Sequence, residues 1–267
     1  MIVAGLILLS VGIADLVRQF VPAAQRWIGL LVAGILIIAI GALSDAVLAS
    51  LLAVAVAGAW MWLMPSGKPA RAAFWPAVAL AAVCGGLVAL LGARAETGLI
   101  GEVWHLPSPL GDVPFDLAVL VIGTIAFLLE SANVVVRAAL DVEMPARKSA
   151  MATDVILESD PAESEAEAQP ATEADQRDAV PLTVEPELKG GRLIGPLERV
   201  IVFAMMLAGA YVLVAAVFAA KGIVRFPEIS RDDGSGSRAE YFLVGSMVSW
   251  GLALAGALLV WWGTAGP

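Results

Sequence analysis

Residues 196–225 read PLERVIVFAMMLAGAYVLVAAVFAAKGIVR, an apolar run of about twenty residues with charges at both ends. Glu198 and Arg199 precede the run, and Lys221 and Arg225 follow it. A run of about 20 apolar residues is long enough to cross a bilayer as a helix. Charges so close to hydrocarbon must lie at an interface, pair with one another or serve a function, because an unpaired charge there is costly. This stretch predicts an integral membrane protein.

The composition of the whole chain is also that of a membrane protein. Of the 267 residues, 60% are hydrophobic and 15% are charged, whereas about 25% of a soluble domain is charged. With Cys84 and His105 as its one cysteine and one histidine, the chain excludes an intrachain disulfide and a Cys/His zinc site. We expect no metal and no cofactor. We expect no nucleic-acid partner either, because no basic patch is present to neutralise phosphates.

Seven apolar segments match the length of a membrane-spanning helix. They are residues 2–17, 27–43, 46–64, 74–91, 113–136, 200–220 and 241–262. The sequence therefore predicts an all-α fold, a polytopic transmembrane helix bundle of about seven spans. The chain must turn near residues 41–45, because a continuous helix over 27–64 would be about 57 Å long. We interpret the first segment as an uncleaved helix, since it lacks the basic start of a signal peptide, although Ala23 and Ala24 leave cleavage open.

The net charge of −9 comes from one segment, residues 141–190. Its central part, residues 158–178, has almost no aliphatic side chains and cannot bury enough apolar area to offset the entropy of ordering. We predict a disordered acidic linker that is open to protein partners. The chain then divides into an N-terminal region of about five spans (1–140), the linker (141–190) and a C-terminal two-span hairpin (191–267).

The distribution of Lys and Arg predicts the orientation, because cytoplasmic loops carry the excess of these residues. In the seven-span topology the side with the linker carries ten such residues near the spans and the other side carries five. We therefore expect the N-terminus outside, and the acidic loop and the C-terminus in the cytoplasm. Four of the five lie between the sixth and seventh spans. Either that loop lies outside and pairs with its own acidic residues, or the last hairpin does not fully cross the membrane.

A polar cluster lies inside the fifth span. It comprises Glu130, Ser131 and Asn133, with Arg137 two turns beyond Glu130 on the same face. An ionisable residue inside a membrane span marks a functional site by default. The alternative is that these side chains hydrogen-bond to neighbouring helices, as polar residues do in membrane bundles.

Five further charged residues are candidates for ion pairs at the membrane interfaces: Glu198, Arg199, Lys221, Arg225 and Glu240. In the seven-span topology Arg137 comes near Glu198 at the cytoplasmic end. At the outer end, Lys221 comes near Glu240. Such pairs fix the register of neighbouring helices. A transport role for them is the alternative.

Small residues recur every fourth position in the last span, at Gly245, Ser249, Ala253 and Ala257. A stripe of this kind lets a neighbouring helix backbone approach closely. The sixth span is one partner for it. A second copy of the chain is the other, so a homo-oligomer remains open.

Roughly residues 130–250 resemble a family of bacterial inner-membrane proteins that is defined as a domain of unknown function. The resemblance is carried by Ala132-Asn133, Val136-Arg137, Gly191–Gly195, Leu197-Glu198-Arg199, Ala219-Ala220-Lys221, Arg225-Phe226, Ala239-Glu240-Tyr241 and Gly245-Ser246. A stretch of that family with His and Asp, in its N-terminal portion, is missing here. The resemblance implies an integral protein of the bacterial cytoplasmic (inner) membrane and no known reaction.

The sequence contains no phosphate-binding loop, metal-binding helix or nucleophile motif. We therefore expect no catalytic residues and no enzymatic activity. The first hypothesis is a non-enzymatic scaffold or regulatory membrane component that meets partners through the linker. The alternative is a small transporter or ion-coupled channel that uses Glu130 and Asn133.

Overall fold

The structure, a computed structural model, describes residues 1–65, 74–92, 94, 97–108, 111–143, 191–230 and 237–265. Within these ranges the side chains of residues 142–143, 191–192, 225–230, 237–241 and 265 are not described. The linker predicted over 141–190 falls almost entirely outside the described residues. The described part of the chain is all-α, as predicted, apart from one pair of very short strands.

The N-terminal helices are α1 (Ile2–Phe20), α2 (Arg26–Leu43), α3 (Val47–Leu63) and α4 (Trp75–Leu91), with a 3₁₀ turn (Ala23–Gln25) before α2. They are followed by a short helix α5 (Gly98–Val103) and by the antiparallel strands β1 (Pro107–Ser108) and β2 (Gly111–Asp112). The fifth predicted span is formed by α6 (Phe115–Ala126), a π-turn (Phe127–Ser131) and α7 (Ala132–Glu143). The C-terminal helices are α8 (Gly191–Leu207), α9 (Tyr211–Ser230) and α10 (Ser237–Ala265).

Four helical segments among the described residues are long and apolar enough to cross a membrane. They are Ile2–Phe20, Ala23–Leu43, Phe115–Asp141 and Phe242–Thr264. Shorter apolar helices cover Val47–Leu63, Trp75–Leu91 and Tyr211–Val224. The structure thus supports a polytopic helical protein, whereas the predicted count of seven spans is not confirmed.

The first helix, α1, forms the centre of the bundle, where Leu6, Ile7 and Val11 are completely buried. It packs backbone to backbone against α6. A Cβ atom added to Gly5 would lie 2.8 Å from the Leu120 nitrogen, and one added to Gly12 would lie 2.5 Å from the Ala126 carbonyl carbon. Only glycine permits so close an approach. The earlier residue of α1, Gly5, meets the earlier residue of α6, and the later residue, Gly12, meets the later one, so α1 and α6 run parallel.

The other N-terminal helices alternate in direction around α1. Trp60, near the end of α3, reaches Asp15 near the end of α1, so α3 is parallel to α1. Gly29, at the start of α2, faces Val17, so α2 is antiparallel to it. The carbonyl of Gly92, just after α4, accepts a hydrogen bond from the Met1 nitrogen, so α4 is antiparallel as well.

The bundle therefore has two distinct ends. At the first, which we call the Arg94 end, Arg94 donates two hydrogen bonds to the buried Asp116, at 3.0 and 2.8 Å, and a third to the Ser44 carbonyl at 2.8 Å. These bonds hold the α2–α3 turn against the start of α6. They raise the pKa of Arg94, chiefly through the hydrogen bonds to Asp116. The opposite end, where α7 leads into the linker, we call the linker end.

The turn predicted near residues 41–45 is confirmed. Helix α2 ends at Leu43 and α3 begins at Val47. Asp45 between them adopts a left-handed conformation with φ of 52°. This turn separates the second and third predicted segments into an antiparallel pair.

The predicted sixth span, residues 200–220, is not one helix. Helix α8 ends at Leu207 and α9 begins at Tyr211. Gly209 has φ of 70°, and the Ala210 and Gly209 amides donate to the Met205 and Met206 carbonyls at 2.9 and 3.1 Å. This pattern is a Schellman motif, which ends helices at a left-handed glycine. A hydropathy criterion alone does not detect it, because the residues on both sides are apolar.

After this turn the chain returns along its own path. Lys221 of α9 pairs with Glu198 of α8, and Val214 packs with Val202. Helices α8 and α9 thus form an antiparallel hairpin, which we call the C-terminal hairpin. The start of α8 and the end of α9 both lie at the linker end, and the turn at Gly209 lies at the other end of the hairpin.

The last helix, α10, runs antiparallel to α6 and α7. Gly245 lies beside Leu140, and Gly263 lies beside Met1 and Leu120. The end of α10 therefore lies with the start of α1 at the Arg94 end. This arrangement differs from the predicted topology, in which the two ends of the chain lie on opposite sides. The cause is the reversal at Gly209, which was predicted to be the middle of a crossing.

Candidate functional site

The predicted polar cluster lies on an irregular piece of backbone. In the π-turn the Ala132 amide donates to the Phe127 carbonyl, five residues earlier. A single π-turn inside an α-helix adds one residue to the helix, and such turns are frequent at functional sites. Glu130 and Ser131 lie within this turn and are buried, with 5% and 0% of their surfaces exposed.

Three of the four predicted cluster residues contact one another. The Asn133 Nδ2 atom donates to Glu130 Oε2 at 3.1 Å. The Arg137 guanidinium lies 3.7 Å from Glu130 Oε1 and is about half exposed. Arg137 Nε also donates to the Asn133 carbonyl at 3.3 Å. The buried carboxylate therefore has a cation and an amide as neighbours on its own helix.

Ser131, the fourth predicted residue, faces α1 instead. Its Oγ donates to the Val11 carbonyl at 3.4 Å, and its side chain adjoins the Asp15 carboxylate. Asp15 is 1% exposed and accepts hydrogen bonds from Trp60 Nε1 at 2.9 Å and from Arg18 at 3.0 Å. The sequence predicts Asp15 and Arg18 at the level of the membrane interface, and it does not predict the burial of Asp15 or its contacts with Trp60 and Ser131. The three-residue spacing of Asp15 and Arg18 was the one local signal of this second group.

Arg199 differs most from its prediction as an interfacial charge, since it is 2% exposed. Its Nε donates to the Leu128 carbonyl of the π-turn at 2.9 Å. One terminal nitrogen donates to Ser249 Oγ at 3.2 Å and the other to Asn133 Oδ1. One guanidinium thus joins α8 to the π-turn, to α7 and to α10. These three bonds use all three nitrogens of the guanidinium, and among the side chains only arginine offers N–H donors in this fixed arrangement.

The predicted partner of Glu198 is corrected by the structure. Lys221 donates to both carboxylate oxygens of Glu198, at 2.9 and 2.7 Å, whereas Arg137 was predicted as the partner. The physical reason is the reversal at Gly209, which returns Lys221 to the level of Glu198. The side chains of Arg225 and Glu240 lie outside the described residues. The predicted pair of Lys221 with Glu240 stays a prediction.

An aromatic group covers this ion pair. Trp250 Nε1 donates to Glu198 Oε1 at 2.8 Å. The Trp250 ring stacks on Phe218 with 3.9 Å between centroids, and the Lys221 Nζ lies 5.3 Å from the Trp250 centroid. Trp250 lies in the middle of α10, where its N–H needs an acceptor. The Glu198 carboxylate is that acceptor.

The small-residue stripe of α10 is used within the chain. Ser249, Ala253 and Ala257 are buried, and Gly245 lies beside α7. The residues of α8 that face the stripe are the buried Val202 and Phe203. The stripe therefore holds the C-terminal hairpin against the body of the bundle.

Within the described ranges, no group of three or more His, Cys, Asp or Glu residues is arranged to hold a metal ion. Two groups of polar and charged side chains lie inside the bundle, one around Glu130 and Arg199 and one around Asp15, in addition to the Arg94–Asp116 and Lys221–Glu198 pairs. The chain matches no protein-family model, and comparisons with curated proteins and with solved structures find no match. The resemblance to a bacterial inner-membrane family remains a prediction.

Proposed function

We propose that the protein is a non-enzymatic integral membrane component, a scaffold or regulator, that presents its connecting segments to protein partners in the cytoplasm. The observation that carries this proposal is the Lys221–Glu198 pair, because it brings both arms of the C-terminal hairpin to the linker end. The linker before α8 and the segment after α9 then emerge on the same side of the membrane.

The distribution of positive charge supports this topology. We assign each segment that joins two helices to the end of the bundle at which those helices end and begin. On this assignment every Lys and Arg except Arg94 lies at the linker end or in a segment that joins helices there. Cytoplasmic loops carry such an excess, so we assign the linker end to the cytoplasm. The four charges that conflicted with the seven-span topology agree with this one. The start of α1 is outside in this topology, as it is in the seven-span topology. The end of α10 is also outside, whereas the seven-span topology placed it in the cytoplasm.

In this topology the chain crosses the membrane six times, through α1, α2, α3, α4, the α6–α7 segment and α10. The C-terminal hairpin enters from the cytoplasmic side and adds no net crossing. Helices α3 and α4, with 17 residues each, are about 26 Å long. A bilayer adapts to such short helices by local thinning at modest cost.

The pairing of the buried charges supports a structural role for the hairpin. The side chains of Arg199 and Glu198 hydrogen-bond to α7, α9, α10 and the π-turn. These hydrogen bonds fix the position of the C-terminal hairpin relative to α7 and α10. The resemblance to bacterial inner-membrane proteins supports the bacterial cytoplasmic membrane as the location.

A complementation experiment tests the scaffold role. In a strain that lacks the protein, wild-type chain, a deletion of residues 150–185 and Glu130→Gln are expressed, with membrane insertion verified for each. The scaffold role predicts that the deletion loses the wild-type phenotype and that Glu130→Gln keeps it. The opposite result would contradict the proposal.

A second candidate function, an ion-coupled transporter, is favoured by one observation. Glu130 is a buried carboxylate in a π-turn, with Asn133 donating to it. Uptake of protons or sodium into proteoliposomes tests this function directly. A transporter requires flux that Glu130→Gln abolishes and that the matched variant Glu102→Gln, in the exposed helix α5, retains.

A further inference from the structure

We propose that Arg199 is a positioning residue that maintains the π-turn and thereby sets where Glu130 and Ser131 lie relative to Asp15. The inference goes beyond the scaffold role, because it concerns how the C-terminal hairpin controls the polar groups of the bundle. It applies whichever of the two functions the protein has.

The Arg199 side chain lies directly at the π-turn. Its Nε donates to the carbonyl of Leu128, which is inside the turn, at 2.9 Å. A π-turn exchanges the regular bonding between residues four apart for a bond between residues five apart. A backbone carbonyl in hydrocarbon needs a donor. A guanidinium from α8 provides one at the point where the helix is irregular.

The π-turn sets the orientation of the side chains on either side of it. One residue corresponds to about 100° of helix rotation. If the turn became regular α-helix without loss of a residue, the segments on its two sides would rotate by that amount relative to each other. Ser131 could then no longer face Val11 and Asp15 while Phe127 keeps its contact with Trp60, whose ring lies 5.9 Å away.

Arg199 also links the turn to the helix that follows it. It donates to Leu128 within the turn and to Asn133 after it. Asn133 in turn donates to Glu130. Ser249 of α10 fixes the remaining terminal nitrogen of the guanidinium. Docking of the C-terminal hairpin and the geometry around Glu130 are therefore coupled through one side chain.

A double-mutant cycle tests the coupling. Deletion of Leu129, a half-buried residue of the π-turn, removes the extra residue and gives a regular helix. In the full chain in detergent, we expect Arg199→Gln to lower the melting temperature by about 5 °C. In the chain that lacks Leu129, Arg199→Gln is expected to lower the melting temperature by less than half of that amount. Arg94→Gln, at the other end of the bundle, is the control and is expected to be additive with the deletion.

Equal effects of Arg199→Gln in the two backgrounds would overturn the proposal. If the deletion variant does not fold, amide hydrogen exchange of the full chain in nanodiscs decides. Arg199→Gln must then speed exchange of residues 127–133 at least tenfold and leave residues 2–12 unchanged, with Arg199→Lys intermediate. Unchanged exchange over 127–133 overturns the proposal, whatever the linker deletion shows about the scaffold role.

Discussion

Lys221 donates to both carboxylate oxygens of Glu198, at 2.9 and 2.7 Å. The two residues stand at opposite ends of a single apolar run, so they can meet only if the run reverses. Gly209 is where it reverses. A segment that reads as one membrane span in the sequence is therefore a helical hairpin, and the six-crossing topology that we propose depends on this reversal.

The first prediction concerns this pair. Lys221→Glu places two carboxylates together in a partly buried site, and we expect it to lower the free energy of unfolding by about 2–4 kcal/mol. The double variant Glu198→Lys/Lys221→Glu should recover at least half of that loss in thermal unfolding. The control pair is Glu198→Lys/Arg137→Glu, which restores the partner expected from the seven-span topology. Recovery in the control pair and not in the first would show that the helices are arranged otherwise.

The second prediction concerns the contact between α1 and α6. Gly12→Ala adds a Cβ 2.5 Å from the Ala126 carbonyl carbon, so the helices must separate, at a cost of about 1–3 kcal/mol. Gly34→Ala is the matched control, because a Cβ there meets nothing within 4 Å. Chemical denaturation in mixed micelles measures both. Equal stability of the two variants would be inconsistent with backbone contact at Gly12.

The third prediction concerns the buried Asp15. Trp60→Phe keeps an aromatic ring, although a smaller one, at this buried position and removes the N–H that donates to Asp15 at 2.9 Å. We expect a loss of roughly 1–3 kcal/mol, since the hydrogen bond is to a buried charged group. Trp27→Phe, on a side chain that is 65% exposed, serves as the control and should change little. A loss no larger than in the control would argue against the Asp15–Trp60 contact.

The fourth prediction concerns the Arg94 end. Asp116→Asn removes the two-bond pair with Arg94, and we expect a lower melting temperature than for Asp112→Asn on the exposed β2 strand. Because the pKa of Arg94 is raised in the folded protein, its contribution to stability is complete below the ordinary pKa of arginine and is lost only as the pH rises through the still higher pKa of the folded state. The Met1 amino group also interacts with Asp116 and titrates below about pH 8. Above that range, the difference between wild type and Asp116→Asn should therefore be the same at about pH 9 and about pH 10. A difference that shrinks over this range would mean that another group titrates in the pair.

Several features could be predicted from the sequence because they depend on local composition. The membrane class, the helical fold and the turn after Leu43 follow from apolar run lengths. The stripe of small residues on α10 follows from its four-residue spacing and is buried as a packing surface. The grouping of Glu130, Asn133 and Arg137 follows from helical periodicity.

The remaining features depend on long-range pairing, which run lengths do not encode. The predicted sixth span is interrupted at Gly209, where a glycine that ends a helix lies among apolar residues. The partner of Glu198 that was deduced from an unbroken span, Arg137, is replaced by Lys221. The burial of Arg199 was not predictable either, because its acceptors come from α7, α10 and a π-turn that has no sequence signature.

The sidedness of the segment between α9 and α10 tests the hairpin topology most directly. Single cysteines at Gly234, at Ser164 in the linker and at Thr97 near the Arg94 end are introduced in a Cys84→Ala background. They are labelled with an impermeant maleimide in intact cells and in inverted membrane vesicles. The hairpin topology predicts that positions 234 and 164 label only in inverted vesicles and that position 97 labels in intact cells. Labelling of position 234 in intact cells together with position 97 would contradict it, since the run over 200–220 would then cross the membrane.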